Sequence, residues 1–491
     1  MINSFENINW STIKICVLQP DYSTSNIDYA NYDPPRNLSH LIPEANFTHV
    51  FLNKLTTYKQ LKQLKKQGFD IFVNLCEGYL EWEVPSIDVI YFLQLLNLPF
   101  TGPTDLLYDP PKDLMKYVAY TEGIKTPAFA LIENNHQIEQ QCKHLNFPLF
   151  VKPAKAGDSL GIDNNSLVYN YQALQLKIDE IIEEYGPLLV EEFIAGREFT
   201  VMMAANALDE ITVFTPVEYI FDSHNQFKTY SLKTSALHPN ANIPVADTTL
   251  ANKLKAAGAA IFKSFGGVGY ARMDCRLDEN GDLYFLEINF TCSVFYTDGY
   301  EGSADYILKH DGYGQANFLK HIIAEGIHRH ALLQKKYIIK GNAIAGYGMY
   351  ATQNILPNQL IFKGEERPQR LVTKRYVQQH WSDAEKEIFR KYAYPISNEV
   401  FLLWDTNPAA WAPQNHSCTP NTQYDGLNVI ATSHINKGDE LTLNYVAFLD
   451  ENMEPFTCKC GTPNCSGYIT GIANNSVTNR ELKKQTDTPF T

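Results

Sequence analysis

Hydrophobic and polar positions divide the chain into three textures. Over the first hundred residues, short apolar runs alternate with amphipathic ones. IKICVL reads as a strand stopped by Pro20, and TTYKQLKQLKKQ has helical spacing with its lysines outward. FDIFVNL is a second strand and SIDVIYFLQLL a second helix. Strands alternating with helices predict a parallel sheet with helices on its faces. After TPAF the texture changes. PLFVKPAKAGDSLGI reads as a strand entering a Gly-containing loop. QALQLKIDEIIEEYGP is an amphipathic helix closed by Gly186 and Pro187, and LLVEEFI is a strand. ARMDCRLDENGDLYFLEINF is a pair of strands around an Asn-Gly turn. This block runs to about residue 325 and predicts α+β structure. A polar, basic stretch around IHRHALLQKKY marks the next boundary. Beyond it, short strand-like runs punctuated by Gly, Pro and Asn predict a mostly β unit. The closing NNSVTNRELKKQTDTPFT is polar and is expected to form a loose tail.

Composition refines this only slightly. A length of 491 residues suits roughly three domains or subdomains. With 44% hydrophobic and 20% charged residues, the chain can bury real cores. A net charge of −14 argues against non-specific nucleic-acid binding, while leaving a basic peptide as a substrate. The segment Met1 to Trp10 is polar and lacks the apolar core of a signal peptide. Ser86 to Phe100, the longest apolar stretch, carries Asp88 and Gln94, is too short to span a bilayer, and reads as a core helix. The expectation is a cytoplasmic, reducing compartment with no membrane or direct nucleic-acid partner; export into another cell stays open. Of nine cysteines, five are scattered through the first 300 residues and four come late, which suits free thiols plus one metal site rather than disulfides.

Two constellations carry chemistry. In the first, Lys152 ends an apolar strand and is followed by Gly157, Ser159 and Gly161, small residues that let backbone N–H groups approach phosphate oxygens. Glu287 and Asn289 lie two apart on one strand and share a face, with Asp274 on the partner strand of the hairpin. Three oxygen ligands there suit Mg²⁺, and Arg272, on the face of Asp274, suits a developing oxyanion. The charged turn residues Asp278, Glu279 and Asp282 are read as solvated.

KPAKAGDSLGI, VEEFIAGREFTV and ARMDCRLDENGDLYFLEIN, in that order, resemble the ATP-grasp superfamily, most closely its D-alanine–D-alanine ligase-like branch. The resemblance covers about residues 100–290, and FVNLCEG and PFTGPT resemble the domain that precedes it. It implies a pre-ATP-grasp parallel-sheet domain (1–110) and an ATP-grasp domain (111–325). It also implies ATP and Mg²⁺ as cofactors, and acyl-phosphate formation followed by attack of an amine. Carried over by residue, Lys112 and Lys152 would contact ATP phosphates or the adenine N7 edge. Glu191 would accept from the adenine amino group, with Phe193 and Ile194 in the hinge and Glu198 on the ribose hydroxyls. Lys228 would be a further phosphate contact, Arg272 the oxyanion residue, and Asp274, Glu287 and Asn289 the metal ligands. FTCSVFYTDGYEGSAD departs from the ligases' small, Pro-Gly-containing loop. That departure argues against D-alanine as substrate and leaves a peptide-like or amino-acid carboxylate.

In the second constellation, Cys458, Cys460 and Cys465 form C-x-C-x₄-C, a spacing that favours tetrahedral zinc, and Cys418 is the natural fourth ligand. GYGMYATQNI, QNHSCTPN, GDELTLNY and CKCGTPNC, in that order, resemble a SET domain (335–456) with a post-SET zinc motif (457–470). The resemblance implies a mostly β methyltransferase using S-adenosylmethionine and Zn²⁺. Gly346, Tyr347, Gly348, Asn415 and His416 would hold the cofactor, and Tyr445 would be the active-site tyrosine. Tyr392, Tyr394, Phe401 and Trp404 are candidates for a lysine channel by cation–π contact, or for a packed core. WAPQ stands where many SET domains have an apolar run before NHSC. The sequence thus predicts a bifunctional enzyme with small-molecule or peptide carboxylate and amine substrates and a lysine-containing protein or peptide methyl acceptor. The alternative is a SET methyltransferase on a non-catalytic ATP- or peptide-binding scaffold. A homodimer and a flexible tail (471–491) complete the expectations.

Overall fold

The computed structural model describes residues 5–6, 8–25, 33–78, 83–155, 159–208, 210–221, 227, 241–364, 369–404, 414–449 and 455–471. The chain divides into two compact units, Met1–Leu332 and Leu333–Thr491.

The first unit opens with a parallel sheet. Strand β1 (Lys14–Pro20) is buried from Ile15 onward and lies between β2 (Asn46–Leu52) and β3 (Ile71–Asn74), both parallel to it. The sequence reading found β1 and β3 but not β2, because Asn46, Thr48 and His49 interrupt its apolar run on a half-exposed edge. Helices Thr57–Leu64 and Ile87–Leu95 cover the sheet, and Val89, Ile90 and Leu93 of the second are buried. Gly68, at φ +67°, turns the chain back toward β3 in a conformation that costs glycine little.

Two antiparallel sheets follow. One has β4 (Phe129–Ile132), β5 (Leu149–Pro153), β6 (Leu167–Val168) and β7 (Leu188–Glu192) in the order β4-β7-β5-β6. The other contains β8 (Arg197–Ala205), β9 (Ile211–Val213), β10 (Val217–Tyr219), β11 (Asn242–Pro244), β12 (Tyr270–Leu277) and β13 (Leu283–Asn289). Its order is β11-β10-β8-β12-β13, with β9 beside β8. Helix Thr248–Ser264 packs on this sheet and begins where the Asp247 side chain accepts from the N–H groups of Thr249 and Leu250. The parallel sheet and the larger antiparallel one share a core: Val17 and Val73 belong to the same buried cluster as Met202, Tyr270 and Phe318. The basic stretch expected as a boundary is mostly helix, since helix Gly314–Leu333 runs through it with its buried face continuing to Gly326.

The second unit is mostly short strands. Strands β14 (Tyr337–Asn342), β15 (Gly346–Ala351), β20 (Asn415–His416) and β23 (Glu440–Leu443) form a sheet in the order β14-β15-β23-β20. Strands β16 (Leu360–Phe362), β21 (Thr422–Asp425) and β22 (Asn428–Ala431) make a second, and β17 (Gln369–Thr373), β18 (Tyr394–Pro395) and β19 (Val400–Trp404) a third. The third sheet packs with helices Lys374–His380 and Asp383–Tyr392. β24 (Phe456–Thr457) and β25 (Tyr468–Ile469) bracket the cysteine motif. No helix among the described residues is long and apolar enough to cross a membrane.

Candidate functional site

In the first unit, a cleft lies between the two antiparallel sheets, lined by Lys152, Glu191, Phe193, Glu198, Asp274 and Glu287 among others. Strand alternation sets its walls: Phe150 and Lys152 share one face of β5. At its floor the Glu191 carboxylate is fully buried between two ammonium groups, Lys116 Nζ and Lys152 Nζ, each at 2.6 Å. Burial alone would push the Glu191 carboxyl up. The two lysines outweigh it and hold the group at about 2. Burial would likewise depress Lys152, but Glu191 and Glu287 raise it. Lys116 comes down to about 8, first through burial and then through repulsion from Lys152, against the pull of Glu191.

The sequence reading named Lys112 and Lys152 but missed Lys116. A signal existed: Lys116 stands one turn after Lys112, between the buried Met115 and Ala119, on the inward face of helix Lys112–Thr121. It missed Arg276 as well. This residue faces Glu198 across β12 and β8, donating to Glu198 Oε2 through Nε (3.1 Å) and Nη2 (2.8 Å). Its Nη1 donates to the Ile194 carbonyl at 2.8 Å, and its guanidinium lies 4.7 Å over the Phe193 ring. The segment expected to hinge the site is therefore pinned by one buried arginine. Phe227 stacks edge-on against Phe150 at 4.9 Å and completes the apolar wall. Ser159 lines the cleft at φ +57°. Gly157 and Lys228 lie outside the described residues.

The hairpin arranges the remaining residues. Asp274 pairs with Glu287, and Arg272 with Asn289, directly across β12 and β13. All four side chains thus share one face, within the roughly 5 Å spacing of opposed Cβ atoms. Opposed carboxylates repel unless a cation lies between or beside them. Lys112 Nζ is 3.8 Å from Glu287 and Arg272 Nη2 is 3.7 Å from Asp274, too long for good hydrogen bonds. Thr200 Oγ1 donates to Asp274 Oδ1 at 2.7 Å and orients it. Two carboxylates and an amide oxygen are the hard donors a divalent cation such as Mg²⁺ takes, so the residues fit that ion.

In the second unit, Gly346, Tyr347 and Gly348 lie on β15 and Asn415 and His416 on β20. The Asn415 amide donates to the Tyr347 carbonyl (2.9 Å) and to Glu440 Oε1 (2.7 Å), leaving its own oxygen as the acceptor it offers. His416 Nδ1 accepts from the Tyr445 backbone N–H at 3.1 Å, so its proton sits on Nε2, 3.4 Å from Cys418 Sγ. Burial lowers the His416 pKa and favours this neutral form. The Tyr445 hydroxyl donates to the Gln414 carbonyl at 2.5 Å.

Tyr445 belongs to an aromatic group with Tyr424, Phe448 and Tyr394. Tyr424 and Phe448 are members the sequence reading did not name. Of its proposed channel residues, Phe401 is core, packed at 4.9 Å on Phe389, and nothing is described of the Tyr392 and Trp404 side chains. The sulfurs of Cys418, Cys458, Cys460 and Cys465 all lie within 4.8 Å of one another. A tetrahedral Zn–S bond of about 2.3 Å needs sulfurs roughly 3.8 Å apart, so the four fit zinc. The Cys418 backbone N–H and the Thr462 hydroxyl draw the Cys460 thiol down, while burial pushes Cys458 up, so within the cluster Cys460 is the sulfur most disposed to be a thiolate.

Comparison with known proteins agrees with this division. The D-ala D-ala ligase C-terminus family model matches residues 118–296, and the SET domain family model matches residues 346–446. An uncharacterized protein of Sinorhizobium fredii is 31% identical over 44% of this chain and 63% of its own length. The D-alanine–D-alanine ligase of Syntrophotalea carbinolica is 32% identical over 46% of this chain and 70% of its own. A solved D-alanine–D-alanine ligase from Bacillus anthracis is 18% identical and aligns over 66% of this chain and 99% of that one, with a TM-score of 0.49. With a ligase relative at 32% identity matched over 70% of its length and a separate SET domain at residues 346–446, the chain belongs to the D-alanine–D-alanine ligase family through its ATP-grasp unit and carries a SET domain after it.

Proposed function

We propose that the chain is a bifunctional enzyme: an ATP-dependent carboxylate–amine ligase joined to an S-adenosylmethionine-dependent lysine or amine methyltransferase. The facing of Asp274 and Glu287, flanked by Arg272 and Asn289, carries the ligase reading, because a non-catalytic hairpin gains nothing from opposed carboxylates. A carboxylate oxygen of the substrate attacks the γ-phosphorus of ATP, the bond to the β-bridging oxygen breaks, and ADP leaves. An amine then attacks the acyl carbon, phosphate departs, and the amine loses a proton. Lys112 and Lys152 serve the phosphates, and Glu191 accepts from the adenine amino group in the orientation that Lys116 fixes. Phe193 and Ile194 form the hinge, Glu198 takes the ribose hydroxyls, and Gly157, Ser159 and Lys228 add phosphate contacts. Mg²⁺ held by Asp274, Glu287 and Asn289 supplies charge neutralisation at the phosphates. Arg272 meets the charge that develops on the attacked carboxyl. The substrates are small-molecule or peptide carboxylates and amines.

In the second unit, methyl transfer needs a neutral, desolvated amine in line with the sulfonium. S-adenosylmethionine supplies the methyl group. Gly346, Tyr347, Gly348, Asn415 and His416 would hold it, with Tyr445 as the active-site tyrosine. The Cys418, Cys458, Cys460 and Cys465 cluster holds Zn²⁺, and through Cys418 and His416 it braces the backbone at Tyr445. A lysine-containing protein or peptide is the acceptor.

The test is ATP turnover with magnesium against a pool of amino acids and short peptides, in wild type and Glu287→Gln. Phosphate release that depends on one substrate and disappears in the variant is the expected result. A second reading, in which only the SET unit turns over, draws on the segment after Asn289. There Phe290, Cys292, Val294 and Phe295 are all buried, a packing that leaves little of a small, mobile substrate loop. Methyl transfer without any phosphate release would favour that reading.

A further inference from the structure

We infer that Arg36, far from the hairpin in sequence, is a positioning residue for the metal ligands of the first unit, acting through the segment 291–296. The chain of contacts starts at Asn289. Its Oδ1 accepts from the backbone N–H and hydroxyl of Thr291, at 2.8 and 3.1 Å, so the amide points wherever the following segment places Thr291. That segment is fastened to the parallel-sheet domain. Ser293 Oγ donates to Glu77 at 2.5 Å, and the Val294 carbonyl accepts from Arg36 Nη1 at 3.0 Å. The Tyr296 hydroxyl donates to Asp33 at 2.8 Å.

Arg36 is the hub. Its guanidinium is buried, pairs with Asp33 at 3.1 Å, donates to the Leu75 carbonyl at 3.2 Å, and lies 4.7 Å over the Tyr296 ring. A planar guanidinium reaches two carbonyls, a carboxylate and a ring at once, which an ammonium cannot do. A buried charge held by several partners at once fixes geometry at the expense of desolvation. Phe295 stands at φ +72°, uncommon for a residue with a side chain, and persists because Asp305 Oδ1 holds its N–H at 2.8 Å. The loop is thus over-determined, and the orientation it imposes ends at a metal-ligand candidate.

This inference rests on the ligase reading for its purpose, but its test does not require turnover. The affinity of a non-hydrolysable ATP analogue is measured by titration with and without Mg²⁺. In Ser293→Ala, which leaves the buried charges intact, the gain in affinity from Mg²⁺ should fall by about tenfold, the scale of one hydrogen bond to a charged group. Affinity without metal should stay as in wild type, thermal stability should fall by no more than the loss of one hydrogen bond, and Ser293→Thr should restore the Mg²⁺ gain. Arg36→Lys should show the same selective loss more strongly; loss of metal-free affinity as well would mark that variant as misfolded and leave the decision to Ser293→Ala. A wild-type Mg²⁺ gain in Ser293→Ala overturns the proposal, as does a wild-type chain whose affinity ignores Mg²⁺. Failure of the ligase reading looks different: Mg²⁺-dependent binding in wild type with no carboxylate-dependent phosphate release.

Discussion

Replacing Glu191 by Gln should destabilise the first unit more than any surface substitution. The carboxylate is fully buried and touches two ammonium groups at 2.6 Å. Gln keeps the shape but leaves Lys116 and Lys152 facing each other with no anion between them. Two estimates of the loss agree. The fall of the Glu191 pKa from 4.5 to about 2 corresponds to about 3 kcal/mol. Breaking one partner out of a buried ion pair costs roughly 3–5 kcal/mol. The sign follows from linkage: a depressed carboxyl stabilises above its unfolded pKa, and the contribution is lost as pH falls through the folded one. The deficit of Glu191→Gln should therefore be full at pH 7 and shrink toward pH 2. The assay is chemical denaturation of the full chain, followed by hydrogen exchange in β5 and β7 so that the second unit does not mask the transition. A companion variant sharpens it. Adding Lys116→Met to Glu191→Gln removes one stranded cation and should recover part of the loss, so the double variant should be more stable than the single. A Glu191→Gln protein as stable as wild type at pH 7 would refute the claim that this triad is an ionised, mutually dependent unit.

Other outcomes follow from single features. Burial raises the Asp305 pKa from 3.8 to about 6, so its ionisation costs the fold stability as pH rises from about 4 to 6. The stability of Asp305→Asn relative to wild type should accordingly improve across that window, by up to about 3 kcal/mol, in denaturation at several pH values. A Cβ on Gly348 would run into the Glu440 carboxylate and the Asn415 amide, so Gly348→Ala should weaken S-adenosylmethionine binding by about tenfold or more in a direct titration. Chelation, or Cys460→Ser, should remove zinc as read by metal analysis and unfold the second unit, while nucleotide binding by the first persists.

Much of this was legible in order and spacing. The strand–helix alternation, the Asn-Gly hairpin, the Glu287/Asn289 spacing and the late cysteine triplet each follow from local rules of periodicity, turn chemistry and ligand geometry. Lys116 was only half legible, since a lysine between buried helix positions signals a buried charge without naming its partner. Neither β2 nor the shared core of the parallel and antiparallel sheets was legible. Whether a polar, half-exposed segment becomes an edge strand depends on the strand it pairs with, not on its own residues.

Order and spacing along the chain were enough to identify two domain architectures, their sequence, and the residue types of each candidate site, because those signals are local. What holds them in place came from long-range packing. Register put Asp274 opposite Glu287 and Arg276 opposite Glu198. Burial joined Lys116 to Glu191, and packing brought Arg36 to the carbonyl of Val294. Apart from the hairpin pair Asp274 and Glu287, these pairings connect residues 75 to 258 positions apart, and no local pattern encodes which distant charge will neutralise a buried one.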